Sequence, residues 1–266
     1  MSTRPLRRPV PAAARQRGLT LIELLVSMAI AVFLLGGLLT IVGNTRRVFG
    51  AQNLMAQLQD NQRLAMTLIG DVIQEAGYFP DPTANVSTTV LPVAGTFLTA
   101  GQALTGTYAA ALPGDTVTVR FATAPNDGVI HCLGGTNQTA VGTPPLVYVN
   151  AFSIDAFGNF ICTLTVNGVQ TAATLVPRAT NSSGVVNSGI QRIRILYGVT
   201  TNTAAGNGAV DTYLRADQMT AVNWMNVVSA KVTLRFFNPL TGQPGQPNTI
   251  DFERVIGVMN KSGVKT

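Results

Sequence analysis

The chain has 266 residues, 46% hydrophobic and 11% charged, enough for one sizeable domain plus a non-globular segment. Its net charge of +6 would suit a nucleic-acid binder, but five of the 18 basic residues (Arg4, Arg7, Arg8, Arg15 and Arg17) precede residue 19, where no acidic residue occurs. Taking those five from 18 leaves 13 basic against 12 acidic residues and no basic stripe with interleaved aromatics, which argues against a nucleic-acid surface.

Residues 1–17 combine arginine, proline and alanine without an apolar run and predict neither core nor helix. From Leu19 to Val42 the chain is apolar, and Glu23 is the one ionisable side chain in the stretch. At ~1.5 Å per residue such a helix spans a hydrocarbon core of about 30 Å. The arginines ahead of it predict a cytoplasmic start, which places everything after residue 45 outside the inner membrane. A secretory signal has a shorter apolar stretch followed by a small-x-small cleavage site. Here the small residue, Gly18, comes first, so a cut there would keep the apolar run. Arg7-Arg8 lacks the rest of a twin-arginine pattern and is followed by Pro9 and Pro11. A carboxylate inside a bilayer costs several kcal/mol. Glu23 therefore either meets a partner or snorkels to the headgroups.

After Gly43-Asn44-Thr45 the chain turns polar but keeps a helical period. Ala51, Leu54, Met55, Leu58, Ala65, Leu68, Ile69, Val72, Ile73 and Ala76 form one stripe, with Gln52, Gln57, Asp60 and Arg63 on the other face. The stripe is not a strict a/d heptad, which favours packing on this chain's own strands over a coiled coil. Gly77 suits a left-handed cap, and Pro80 and Pro82 prevent continuation. A single helix from Leu19 to Ala76 would be roughly 85 Å long. Gly36, Gly37 and Gly43 leave the position of any bend open.

The remainder reads as β-rich, with strands predicted at Thr116–Ala122, Leu146–Ile154, Phe160–Val166, Gln191–Val199, Val227–Phe237 and Asp251–Met259. Asp155–Asn159 reads as a hairpin loop. Residues 81–114 and 167–190, poor in charge and rich in small side chains, are predicted to be exposed loops. Cys132 and Cys162 are the only cysteines. Outside the cytoplasm they would close a loop of about thirty residues, worth roughly 3–4 kcal/mol; otherwise they are two buried thiols. His131 has no second histidine with which to share a metal or build a relay, and reads as a strand-edge residue beside Cys132. No GxSxG, P-loop or HExxH motif occurs, and no carboxylate pair stands out, so no catalytic residue is nominated.

Gly18-Leu19-Thr20-Leu21-Ile22-Glu23, with the long apolar helix behind it, resembles the prepilin cleavage and methylation motif of type IV pilins and type II secretion pseudopilins. The resemblance implies cleavage after Gly18 by an aspartyl prepilin peptidase and N-methylation of the new terminus, here Leu19 where relatives usually carry Phe. It also implies that the Glu23 carboxylate meets the Leu19 amine of a neighbouring subunit, offsetting the burial of both charges and setting axial register.

Later stretches resemble the PilW family of minor type IV pilins. They are Leu58–Ala65, Glu75-Ala76-Gly77-Tyr78-Phe79, Ile161-Cys162, Arg192–Val199, Val210–Tyr213 and Asn223–Val228, the last leading into Lys231–Arg235. This resemblance implies an α+β, type IV pilin-like fold. Its parts would be a leader over 1–18, a long helix over 19–77 that is transmembrane at about 19–43, and a β-rich head over 78–266. It implies a minor pilin assisting pilus assembly or initiation, first in the inner membrane with a periplasmic head and then in the pilus. The implied partners are the prepilin peptidase/N-methyltransferase, other minor pilins and the major pilin, the inner-membrane assembly platform and the lipid bilayer, with no cofactor. A J-type minor pseudopilin of a type II secretion system shares this architecture. A tip adhesin or DNA-uptake pilin, using residues 81–114 and 167–190 as contact loops, is the reading from another class. Relatives often carry an acidic glycine-rich loop before the position of Asp211. Here Asn202–Gly208 leaves Asp211 as the sole carboxylate, which suits a turn better than calcium.

Overall fold

Between Leu21 and Gln74 no proline interrupts the chain, and helix α1 (Leu21–Gln74) runs through Gly36, Gly37 and Gly43 as one 54-residue element. The computed structural model describes residues 18, 20–181, 184–201 and 209–262. Two compact units divide at Gly50 and Ala51. In the first, every described residue is exposed, including Phe33 at 81% and Leu39 at 70%. This stretch is long and apolar enough to cross a membrane.

In the second unit α1 buries Leu58, Ala65, Met66, Ile69, Gly70, Val72 and Ile73. These recur every three or four residues, so one face is covered and the other stays wet. Leu68 of the predicted stripe is only half-buried, while Met66, off that stripe, is inside. The helix ends at Gln74, two residues before the predicted Ala76, because Gly77 adopts φ +75° and its N–H turns away to the Arg120 carbonyl (2.9 Å).

The head holds two antiparallel sheets. The first is a meander in sequence order: β1 (Leu104–Thr107), β2 (Thr116–Thr123), β3 (Leu146–Ile154), β4 (Phe160–Val166) and β5 (Val169–Val176). Asp155–Asn159 closes the β3–β4 hairpin, with the Asp155 carboxylate accepting from the Phe157 and Asn159 amides. A small ribbon of β6 (Ala179–Thr180) and β7 (Val186–Ser188) follows. The second sheet comprises β8 (Ile190–Val199), β9 (Thr212–Leu214), β10 (Val227–Phe237) and β11 (Thr249–Gly257), ordered β11-β10-β8-β9. Alternating residues of both sheets point inward, among them Val117, Val119 and Phe121 on β2, Ile193, Ile195 and Tyr197 on β8, and Val232, Leu234 and Phe236 on β10. With the buried face of α1 they form one core. A long N-terminal helix whose second part packs on a β-rich head is the α+β class expected.

Two expectations are corrected. Residues 81–114 are not all loop: they contain β1 and a short helical turn at Ser87–Val90. Residues 167–190 contain β5, β6 and β7. β1 is four residues long and includes Gly106, while β5 is exposed on both faces over its first six residues. Neither had an apolar alternation to read. The last strand also sits two residues earlier than predicted, and Met259 opens a short helical turn instead.

Candidate functional site

Gly18 is exposed, and a Cβ built on it would meet nothing within 4 Å, so its backbone is open to approach. Leu19, expected to become the methylated terminus, lies outside the described residues. Thr20 and Glu23 form a reciprocal cap. The Thr20 amide and hydroxyl both donate to Glu23 Oε2 at 3.4 Å, and the Glu23 amide donates to Thr20 Oγ1 at 3.4 Å. This is the Ser/Thr-x-x-Glu arrangement that satisfies the free donors at a helix start, with a carboxylate at the positive end of the helix. Thr20-Leu21-Ile22-Glu23 carries that capping signature in the sequence, beside the membrane and register roles considered for Glu23. In the single chain, then, Glu23 has a local partner, and its side chain remains exposed.

The head is held together by two buried polar groups and a disulfide. Arg120 on β2 is 1% exposed and has no carboxylate partner among the described residues. Its guanidinium donates to the carbonyls of Gln102 (2.6 Å), Pro92 (2.5 Å), Leu91 (3.1 Å) and Thr99 (3.4 Å), and lies 4.2 Å from the Phe97 ring centroid. Burial lowers its pKa to about 10. One strand residue thereby ties down the loop over 91–102.

Asp115, just before β2, accepts from the Ala109 amide (3.1 Å), the Ile195 amide (2.9 Å) and Arg194 Nη1 (2.9 Å). Next to it Gly114 forms a parallel bridge with Ile193. The β1–β2 connection is thus fastened to β8 of the other sheet.

Cys132 and Cys162 form a disulfide, with Cα atoms 6.3 Å apart. Neither cysteine shows in its spacing that the bond joins the turn over 131–134 to the middle of β4. His131 is not on a strand edge. It starts that turn, beyond a single bridge between Ile130 and Thr136, with its ring stacked on Tyr148 at 5.5 Å and its Nδ1 accepting from the Leu133 amide. Burial lowers its pKa.

A groove of about 680 Å³ lies over β2–β5, walled by Pro92–Phe97 and floored by Thr118, Val149, Ala151 and Thr163. Arg120 is its one charged lining residue, already engaged by carbonyls. Asp211 accepts from the amide and hydroxyl of Thr201 through Oδ2 (2.6 and 2.9 Å). Residues 202–208, weighed above as a turn against a calcium loop, lie outside the described residues. Among the described residues no group of three or more His, Cys, Asp or Glu is placed to hold a metal.

Two family models match this chain. Residues 13–39 match the prokaryotic N-terminal methylation motif, and residues 153–250 match type IV pilus-assembly protein W. The chain carries a PilW region and an N-terminal methylation motif. The PilW match begins in β3 and ends in β11, so it takes in β4–β10, while the methylation match covers Gly18, Glu23 and the start of α1. Among solved structures, a type IV-like pilin from Thermus thermophilus aligns at 14% identity and a TM-score of 0.43, covering 77% of this chain and 97% of that one. No curated protein matches the chain.

Proposed function

We propose that this protein is a PilW-family minor pilin that assists the assembly or initiation of a type IV pilus and enters the filament through its N-terminal helix. The observation that carries the reading is the pairing, in one chain, of a methylation motif at residues 13–39 with a PilW region at 153–250. In this reading a peptidase removes residues 1–18 and Leu19 becomes the methylated terminus. The N-terminal segment rests in the inner membrane at about 19–43, and the head over 78–266 faces the periplasm until the subunit is drawn into the pilus. Membrane residence accounts for the exposed apolar surface of the first unit, since side chains such as Phe33 and Leu39 would otherwise face water.

Glu23 then changes partner. In the single chain it caps its own helix through Thr20. In the filament it takes the Leu19 amine of a neighbour, a charge pair that offsets the burial of both groups. Glu23→Val should leave cleavage intact and reduce filament incorporation at least several-fold, read by immunoblot of sheared pili. Unchanged incorporation would refute the register role. Deletion of the protein should lower the number of surface pili counted by electron microscopy; normal pili with lost attachment would instead favour a tip adhesin.

A further inference from the structure

From Leu24 to Thr45 helix α1 carries no ionisable side chain, and Arg46 and Arg47 then follow together, about one turn past Val42, the last residue of the apolar run. Both are exposed, as are Val48 and Phe49 behind them. Among the described residues no carboxylate forms an ion pair with either guanidinium. The nearest acidic residues along the chain are Glu23 and Asp60, and none stands three or four positions away, where a helical ion pair would form. Arg46 lies 23 residues beyond Glu23, about 35 Å along the helix axis. A hydrocarbon core is about 30 Å thick and a whole bilayer about 40–45 Å. With Glu23 at one boundary, both arginines therefore sit in the opposite headgroup layer, with Phe49 beside them where aromatic rings collect.

We infer that Arg46 and Arg47 form a binding site for the phosphodiester groups of anionic phospholipid in the periplasmic leaflet of the inner membrane; the inference rests on the anchoring proposed above. Planar guanidinium forks match phosphate oxygens two at a time. At about 100° per residue the two side chains leave the helix in different directions, so that each takes its own headgroup. The order of charges along the chain makes the pair matter. Basic flanks ordinarily mark the cytoplasmic side of a span. Before the cut, the five arginines ahead of residue 19 outnumber this pair and satisfy that rule. After it, Arg46 and Arg47 are the only basic side chains before Arg63, and they stand on the far side. Anionic headgroups supply the countercharge that the chain itself lacks there. Entry into the filament then requires both arginines to leave those headgroups, so the lipid holds the subunit at its depth until it is drawn out.

The test uses the full chain in phosphatidylcholine vesicles, with flotation reporting anchoring separately. A fluorophore is placed on Phe49→Cys, the head's own two cysteines being bonded to each other. Lipid carrying a nitroxide high on one acyl chain quenches it at short range. Phosphatidylglycerol with that nitroxide should associate with the labelled position at least about fivefold more strongly than phosphatidylcholine with the same nitroxide. Arg46→Gln with Arg47→Gln should bring the two lipids to parity, whereas Arg15→Gln with Arg17→Gln, on the other flank, should leave the preference unchanged. Parity in the parent chain, a preference that survives the glutamine pair at 46 and 47, or one that disappears with Arg15 and Arg17 would each overturn the proposal. Inorganic phosphate should lower the preference no further than chloride of equal ionic strength; a loss specific to phosphate would assign the arginines to a soluble anion instead of lipid. Chains that do not float would fault the anchoring, and the same quenching in mixed detergent–lipid micelles then decides the lipid preference.

Discussion

Glu75 directly follows α1 and carries the largest resolved shift of any carboxyl group described. Burial, reinforced by the nearby charges of Asp71 and Asp127, raises its pKa from 4.5 to about 7, while the Ile130 amide pulls more weakly the other way. Its Oε2 is buried without a hydrogen bond. Between pH 4.5 and 7 the folded chain holds more protons at this site than the unfolded chain, so its contribution to stability falls as pH rises through that window. The penalty is complete above about pH 7. Glu75→Gln should flatten the pH profile and raise stability at pH 8 by about 1–3 kcal/mol, allowing for partial solvation. Urea unfolding at pH 5 and pH 8 checks this; an unchanged difference between the two pH values would reject it. Glu75 was visible in the sequence only as part of a helix end, because Asp127 and Ile130, unlike Asp71, lie more than fifty positions away. Arg120 makes the same point. It was counted within a predicted strand, and its clasp on four carbonyls depends on a loop that carries no regular pattern.

Among the elements, the ones with strong periodicity were legible. α1 shows both its apolar run and its amphipathic stripe, and β3, β4, β8 and β10 match their predicted bounds within one residue. β1 and β5 were missed because one is too short and the other has no buried face. What joins the two sheets was also invisible. Asp115 sits between Gly114 and β2 like any turn residue, yet its carboxylate takes the buried Ile195 amide and the Arg194 guanidinium from β8, together with the half-buried Ala109 amide of its own connection. Asp115→Ala would leave the Ile195 amide unpaired inside the head and free Arg194, costing roughly 2–4 kcal/mol. A thermal midpoint within a degree or two of the parent would contradict that role. Gly106 belongs at this scale as well. A Cβ there would overlap the Tyr197 hydroxyl and the Thr116 carbonyl, which explains a glycine inside so short a strand.

At the scale of the molecule, the proposed processing ties the two ends of the N-terminal motif together. Gly18→Ala should block the cut, leaving a product heavier by the eighteen-residue leader and unable to enter filaments. Mass spectrometry of the purified protein reads this directly, and a mature terminus anywhere but Leu19 would remove the leader assignment. The cut also creates the amine that Glu23 needs, so the two residues stand or fall as one device.

The apolar helix and the β-rich character of the rest were legible in neighbouring residues, as hydrophobic run length, helical period and strand alternation, while the candidate cleavage motif rested on its resemblance to type IV prepilins. The sequence also explained most of the net positive charge as belonging to residues before 19. Only the tertiary structure decided which elements carry the head. The Arg120 clasp, the Asp115 joint and the Cys132–Cys162 link all arise from groups far apart in the chain. Their energies depend on burial and on whether a polar group finds its partner, and neither is set until the sheets have packed.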